Sequence, residues 1–291
     1  MLLPAAATPG FWDWSLNPPL VLVLLTGALY ARGSRNTLTP ARTRDAQRAR
    51  GACFYGALVI VAVALSSPLD TLAEQLFWVH MVQHILLMLV AAPLLVLSRP
   101  WVRLWRCLPL SARRWLARAF SPGHRAAPLA ALAGFLGEPA PAFVVFSVVL
   151  LGWHVPVMFD ATLTSVPLHA LEHTLFFYVA VVYWKQVIPS APLRARLTAV
   201  QRVVYVIGAM IVSWVLAVVL ALAPHALYSG YAELSSRPGG ISALADQQLA
   251  AGIMWVPGSV TFVIVIFVYV HRWLTPQEPA SKRSPRLAGE H

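Results

Sequence analysis

His80 and His84 stand four residues apart in HMVQHILLML (80–89), a run otherwise fit for lipid. His169 and His173 repeat the device in LHALEH (168–173). Residues i and i+4 share one face of a helix, so each pair sets two imidazoles side by side. A neutral imidazole offers one lone pair, and it suits zinc, copper, nickel and iron. A single intramembrane histidine reads most simply as an interhelical hydrogen bonder. Two matched pairs on separate helices are different, because ionisable groups inside a bilayer are costly and mostly functional. Together they offer four nitrogen ligands to one cleft.

Two further stretches bring ligand types to the same rim. GWHVPVMFD (152–160) carries His154, Met158 and Asp160, and DQQLAAGIMWVPG (246–258) carries Asp246, Gln247 and Met254. The candidate metal ligands are therefore His80, His84, His169, His173, His154, Asp246 and Met254. Each of the later ones also has a plain reading. Asp246 would cap the last helix and complement its dipole. Met88 and Met254 would be packing residues. Glu172, on a face next to the second histidine pair, would sit in the interface region. Pro156 and Pro257 would mark helix ends or kinks, and His225 would be an inert loop residue.

The i, i+4 spacing suits a compact ion. A haem takes one axial histidine from each helix, and a second histidine about 6 Å along the same helix is too close for a second haem. Copper heads the divalent affinity order, and methionine is a soft ligand for its reduced form. Zinc and haem stay open on spacing alone. A retinal protein would need a lysine within a span for its Schiff base, and the only lysines are Lys185 and Lys282, at or beyond the edge of the apolar stretches. There is no phosphate-binding glycine loop, nucleophile elbow or HExxH motif. Asp160, Glu172 and Asp246 could relay protons, but no second set of ionisable groups crosses the other half of the spans. A one-sided binding site, not an enzyme or a pump, is the expectation.

These residues need elements to hold them, and composition says which. Of 291 residues, 58% are hydrophobic and 11% charged, with a mean hydropathy of +0.67. A soluble domain would carry about a quarter charged residues. Seven stretches have the length a helix needs to cross a bilayer: 14–31, 51–68, 75–98, 139–159, 167–187, 203–222 and 247–270. The expected fold is all-α: a polytopic membrane protein of seven transmembrane helices in one domain (1–274), followed by a disordered tail (275–291). Alternate connections and the tail hold 21 of the 22 basic residues, and Arg237 alone lies on the other side. By the positive-inside rule the N-terminus is outside and the C-terminus cytoplasmic. The net charge of +11 then reflects topology and membrane lipid, not nucleic acid. His80, His84, His154, His169, His173 and His225 fall on the outer side, and His124, His271 and His291 on the inner. Residues 99–120 mix Arg with Trp101, Trp105 and Trp115 and read as an amphipathic surface helix. FWDW (11–14) reads as an aromatic belt, and no basic residue precedes Arg32 to make a signal peptide. Cys53 and Cys107 are expected to be free thiols.

HMVQHILLMLVAAPLLVLSRP (80–100), LHALEH and DQQLAAGIMWVPG, in this order on alternate helices, resemble the multi-span CtaG-type cytochrome c oxidase assembly factors. The single-span copper chaperone that shares the name is a different protein. The resemblance covers residues 20–272. It implies a bacterial cytoplasmic-membrane protein that helps to assemble a haem–copper oxidase and supplies copper to the catalytic subunit. The positions that match are His80, His84, His169, His173, Asp246, Met254 and Trp255, with His154 and Asp160 a looser match. The chain has no outer Cys- or Met-rich tail for capturing copper, which leaves the upstream donor open; an outer-side copper chaperone is one candidate. A haem-binding redox protein and a metal-free chaperone for an oxidase subunit are the alternatives.

Overall fold

The computed structural model describes residues 10, 13–35, 43–121, 123–124, 126–192 and 196–275. Among them there are helices and no strand. In chain order these are α1 (Pro18–Arg35), α2 (Arg44–Ser66), α3 (Pro68–Ala73), α4 (Phe77–Ile85), a π-helical stretch (Leu86–Ala91), α5 (Ala92–Ser98), α6 (Trp101–Cys107) and α7 (Leu110–Ala119). They continue with α8 (Ala127–Phe135), α9 (Pro139–Trp153), α10 (Pro156–Thr164), α11 (Val166–Val187), α12 (Ala199–Leu222), α13 (Ser229–Ala232), a short 3₁₀ turn (Pro238–Gly240) and α14 (Ala243–Leu274). Helices are the apt element here, since hydrocarbon leaves every backbone group to be satisfied within its own segment.

Five helical stretches are long and apolar enough to cross a membrane: α2, Phe77–Ser98, α11, α12 and α14. Counting α8 and α9, bent by 90° at their junction, as one makes six. The expected span 139–159 stops at Trp153 instead. Proline drives the residue before it out of the helical region, and Val155, before Pro156, is extended at ψ 127°. α14, by contrast, runs on through Pro257. The surface helix expected over 99–120 is two short helices, α6 and α7, parted at the extended Leu108 and Pro109. α6 lies close against α1: a Cβ on Gly33 would collide with the Arg103 carbonyl oxygen. The tail from residue 276 onward, with His291, lies outside the described residues, as do Phe11 and Trp12. Both cysteines are free thiols.

Phe77–Ser98 is the most enclosed of the spans, and its middle is a π-helical stretch. The cause is Pro93. It has no N–H to give the Leu89 carbonyl, its partner in an α-helix, or the Met88 carbonyl, its partner in a π-helix. Side chains from neighbouring helices take those two acceptors. The Thr261 hydroxyl of α14 donates to Leu89 O at 2.8 Å, and the Trp184 indole N–H of α11 donates to Met88 O at 2.8 Å. The irregular backbone is thus tied to the two helices that flank it. Around it lies one apolar core of Phe146, Phe159, Phe176, Tyr183, Trp184 and Phe262, with their neighbours.

Candidate metal centre

α4 is anchored at its first turn. The first N–H groups of a helix lack partners within it. Here the Phe77 and Trp78 N–H donate to the two carboxylate oxygens of Asp246, each at 2.9 Å. Asp246 is fully buried and belongs to α14, whose own cap is the Ser242 hydroxyl. Its neighbour Gln247 accepts from Leu227 N–H at 2.7 Å and donates to the Leu220 carbonyl at 2.9 Å. Asp246 thus caps a helix, as the plain reading had it, but that helix is α4. Its carboxylate is on backbone, apart from the histidines.

Three residues into α4 stands His80, and one turn later His84. Opposite them, α11 carries His169, Glu172 and His173 in its first two turns. At about 100° per residue, Glu172 lies about 60° to one side of His169 and His173 about 40° to the other. All three therefore face one cleft. His80, His84, Glu172 and His173 each bring a ligand atom within 4.8 Å of the others, and all four are buried. The imidazole rings are in mutual contact: centroids lie 4.5 Å apart for His80 and His84, 5.2 Å for His84 and His173, and 5.4 Å for His80 and His173. His169 stands at the edge, 4.3 Å from the His173 ring and 5.1 Å from that of His80.

Several polar atoms at the centre lack hydrogen bonds. Both carboxylate oxygens of Glu172 are buried with no donor. Their nearest basic neighbours are His80 Nε2 at 3.6 Å and His84 Nε2 at 3.7 Å, too far for a hydrogen bond. Nε2 of His169, Nε2 of His173 and Nδ1 of His84 are also buried without partners. Buried polar groups are nearly always satisfied, and a buried charge is paired or bound to a metal. A carboxylate of zero exposure ringed by imidazole nitrogens could hold a cation.

The tautomer of His80 follows from its partner. The Tyr231 hydroxyl donates to the Ala73 carbonyl at 2.5 Å. Burial, reinforced by the charges of Asp246 and Glu172, holds this phenol well above its ordinary pKa, so it stays a neutral O–H. With its proton given to Ala73, Tyr231 oxygen accepts from His80 Nδ1–H, at 3.1 Å. His80 Nε2 then carries the lone pair, aimed at His84 Nε2 3.0 Å away. Fixing a ligand imidazole through its other nitrogen is the usual outer-shell device of metal sites.

The remaining candidates fall elsewhere. His154 caps the end of α9, with its Nδ1–H on the Leu150 carbonyl at 2.7 Å and its Nε2 3.4 Å from Met81 Sδ. Its ring is 6.0 Å from that of His84. Met254 lines a pocket with Met81, Met88, His84 and His154. Asp160 accepts from Ser229 N–H, Ser229 hydroxyl and Gly230 N–H, tying α10 to α13. His225 is exposed in the loop after α12. The residue that spacing undervalued is Glu172. The signal was there, since its position is i+3 from His169.

No curated protein and no solved structure matches the chain. The family model for cytochrome c oxidase caa3 assembly factor (Caa3_CtaG) matches residues 28–275. That stretch holds every helix that lines the cleft, and on this evidence the chain belongs to the caa3 cytochrome c oxidase assembly factor family.

Proposed function

We propose that this assembly factor holds copper among His80, His84, Glu172 and His173, with His169 at the edge, and passes it to the catalytic subunit of a haem–copper oxidase. The observation that carries the reading is the Glu172 carboxylate, buried without a single hydrogen bond beside three imidazoles. Three nitrogens and one oxygen suit copper and also zinc; the family's oxidase, which contains copper, favours copper. A haem fits poorly, because the rings touch one another and leave no slot for a porphyrin between them. The role is binding and transfer, with no catalysis of its own.

The topology we propose has seven spans in one domain, with the N-terminus outside, the C-terminus cytoplasmic and residues 275–291 a cytoplasmic tail. α1 and α9 would join the five clear spans. The distribution of basic residues supports this, and the proposed orientation would put both histidine pairs, in the first turns of α4 and α11, at the outer ends of their spans. The membrane would be the bacterial cytoplasmic one. A groove of about 290 Å³ between α1, α2 and α11, lined by apolar side chains such as Leu22, Val61, Leu87 and Phe177, reaches His173 from the side. It offers a lateral path to a partner subunit at equal depth. An outer-side copper chaperone would load the site.

Elemental analysis of protein purified in mild detergent tests the reading. Wild type should retain copper, and His84→Ala and His173→Ala should each lose it while still inserting, because neither change adds charge or shortens a span. In cells the oxidase catalytic subunit should accumulate short of copper. Full oxidase activity with both variants in copper-limited cells would remove the donor role and leave a metal-free chaperone.

A further inference from the structure

We propose that a second metal site, soft and selective for a monovalent ion such as Cu(I), lies beside the His/Glu group and is built on Met81 and His154. The case starts from one contact. His154 Nδ1 is 2.7 Å from the Leu150 carbonyl, which can only accept, so that nitrogen carries the proton of the neutral ring. Nε2 is left with a lone pair. It points at Met81 Sδ, 3.4 Å away, and a thioether has no proton to give. Two electron-pair donors thus face each other, in side chains 5% and 1% exposed. A hydrogen bond between them would require His154 to be an imidazolium, and no carboxylate lines the pocket to pair with it.

The surroundings match a soft ion. The pocket holds about 40 Å³, more than the space of about 10–15 Å³ that admits a water-sized particle. Met81, Met88 and Met254 line it, three of the six methionines of the chain, together with His84 and His154. The other walls are Ile85, Leu89, Phe146 and Leu150, with Ser213 and Gly258. Thioether and imidazole without carboxylate are the donor set that selects Cu(I), whereas the His/Glu group supplies nitrogen and oxygen. An uncharged lining favours a single positive charge over two. His84 belongs to both places: its Nε2 faces His80, and its ring lines the methionine pocket. The two sites share one wall and otherwise use different atoms, so the second does not depend on the copper reading of the first.

Silver(I), a soft monovalent probe, and zinc(II) separate them on the full-length protein in detergent, under anaerobic conditions. In a Cys53→Ser, Cys107→Ser background, which removes the two free thiols, the protein should bind Ag(I) with sulfur neighbours in its X-ray absorption spectrum, and the further variants carry the same two changes. Met81→Leu combined with Met254→Leu, chosen because it conserves volume, should weaken Ag(I) binding about tenfold or more and leave Zn(II) binding unchanged. Glu172→Gln should do the reverse. Undiminished Ag(I) binding in the methionine variant, or an Ag(I) spectrum of the thiol-free protein without sulfur, overturns the proposal. Should the double variant fail to fold, Met81→Leu alone in the thiol-free background decides in its place, with undiminished Ag(I) binding again overturning the proposal. Failure of the His/Glu reading looks different: the thiol-free protein would then bind Ag(I) through sulfur but take up no Zn(II).

Discussion

Replacing Glu172 by Gln keeps the shape of the side chain and removes its charge, which makes it the sharpest perturbation of the proposed copper site. The four ligand atoms lie within 4.8 Å of one another, so an ion in their midst is within about 4 Å of the carboxylate. At an effective dielectric constant near 20, a unit charge at that distance gains about 4 kcal/mol. At about 1.4 kcal/mol per decade, that is near a thousandfold in affinity. The amide oxygen of Gln can still coordinate, so the expected loss is about a hundredfold to a thousandfold on the same scale. The metal-free protein should respond in the opposite sense. It now buries a carboxyl group whose two oxygens find no donor, and unsatisfied buried polar atoms are costly. Gln is neutral and can donate to a histidine nitrogen, so thermal unfolding of the metal-free variant should occur at the same temperature as wild type or higher. The assays are competition with a chelator for copper(II) or zinc(II), and a thermal melt without metal. Wild-type affinity in the variant would refute the carboxylate's role. A large loss of melting temperature without metal would make Glu172 a structural residue instead.

Three more outcomes follow from the same contacts. Copper(II) or zinc(II) affinity should fall as the medium is acidified, since protonation of imidazole competes with the metal; affinity unchanged down to the pH at which the protein unfolds would point to ligands other than histidine. Asp246→Ala strips two buried N–H groups of a charged acceptor and should destabilise the protein by about 2–4 kcal/mol, with a weaker drop in metal affinity as His80 loses its anchored helix; unchanged melting would refute the capping role. Reporter fusions after Arg44 and Arg118 should report cytoplasm, and fusions within 226–240 the outer compartment; an outer signal after Arg118 would overturn the proposed orientation.

Much of the site was legible because a helix makes it so. Spacing of four residues in an apolar run puts two imidazoles on one face whatever the tertiary contacts, and His80, His84, His169 and His173 do meet. What spacing could not convey is which partner each remaining polar group finds. Asp246 and Met254 lie two turns apart on one helix, yet one caps α4 and the other lines a pocket. Glu172 looked peripheral because carboxylates at span ends often reach water, and only the packing of α4 against α11 closes that route. The broken spans divide in the same way. The stop before Pro156 is local sterics. The π-helical stretch before Pro93 depends on Thr261 and Trp184, which lie far away in the chain and supply the missing donors.

An unpartnered carboxylate among imidazoles would have a consequence for the proposed cargo. Had Glu172 been given two backbone N–H groups, as Asp246 was, it would be stable without metal and a weaker attractor of it. Left with none, its two oxygens would gain from a cation held in the cleft. On the proposed copper reading, release of the ion would be coupled to proton uptake, as metal binding to imidazole generally is. Neutral, the histidines would be the ligands in that exchange. Asp246 and Tyr231 stand outside the exchange, one holding the helix and the other the ring of His80, so the ligand that Tyr231 orients need not turn as the charge in the cleft changes.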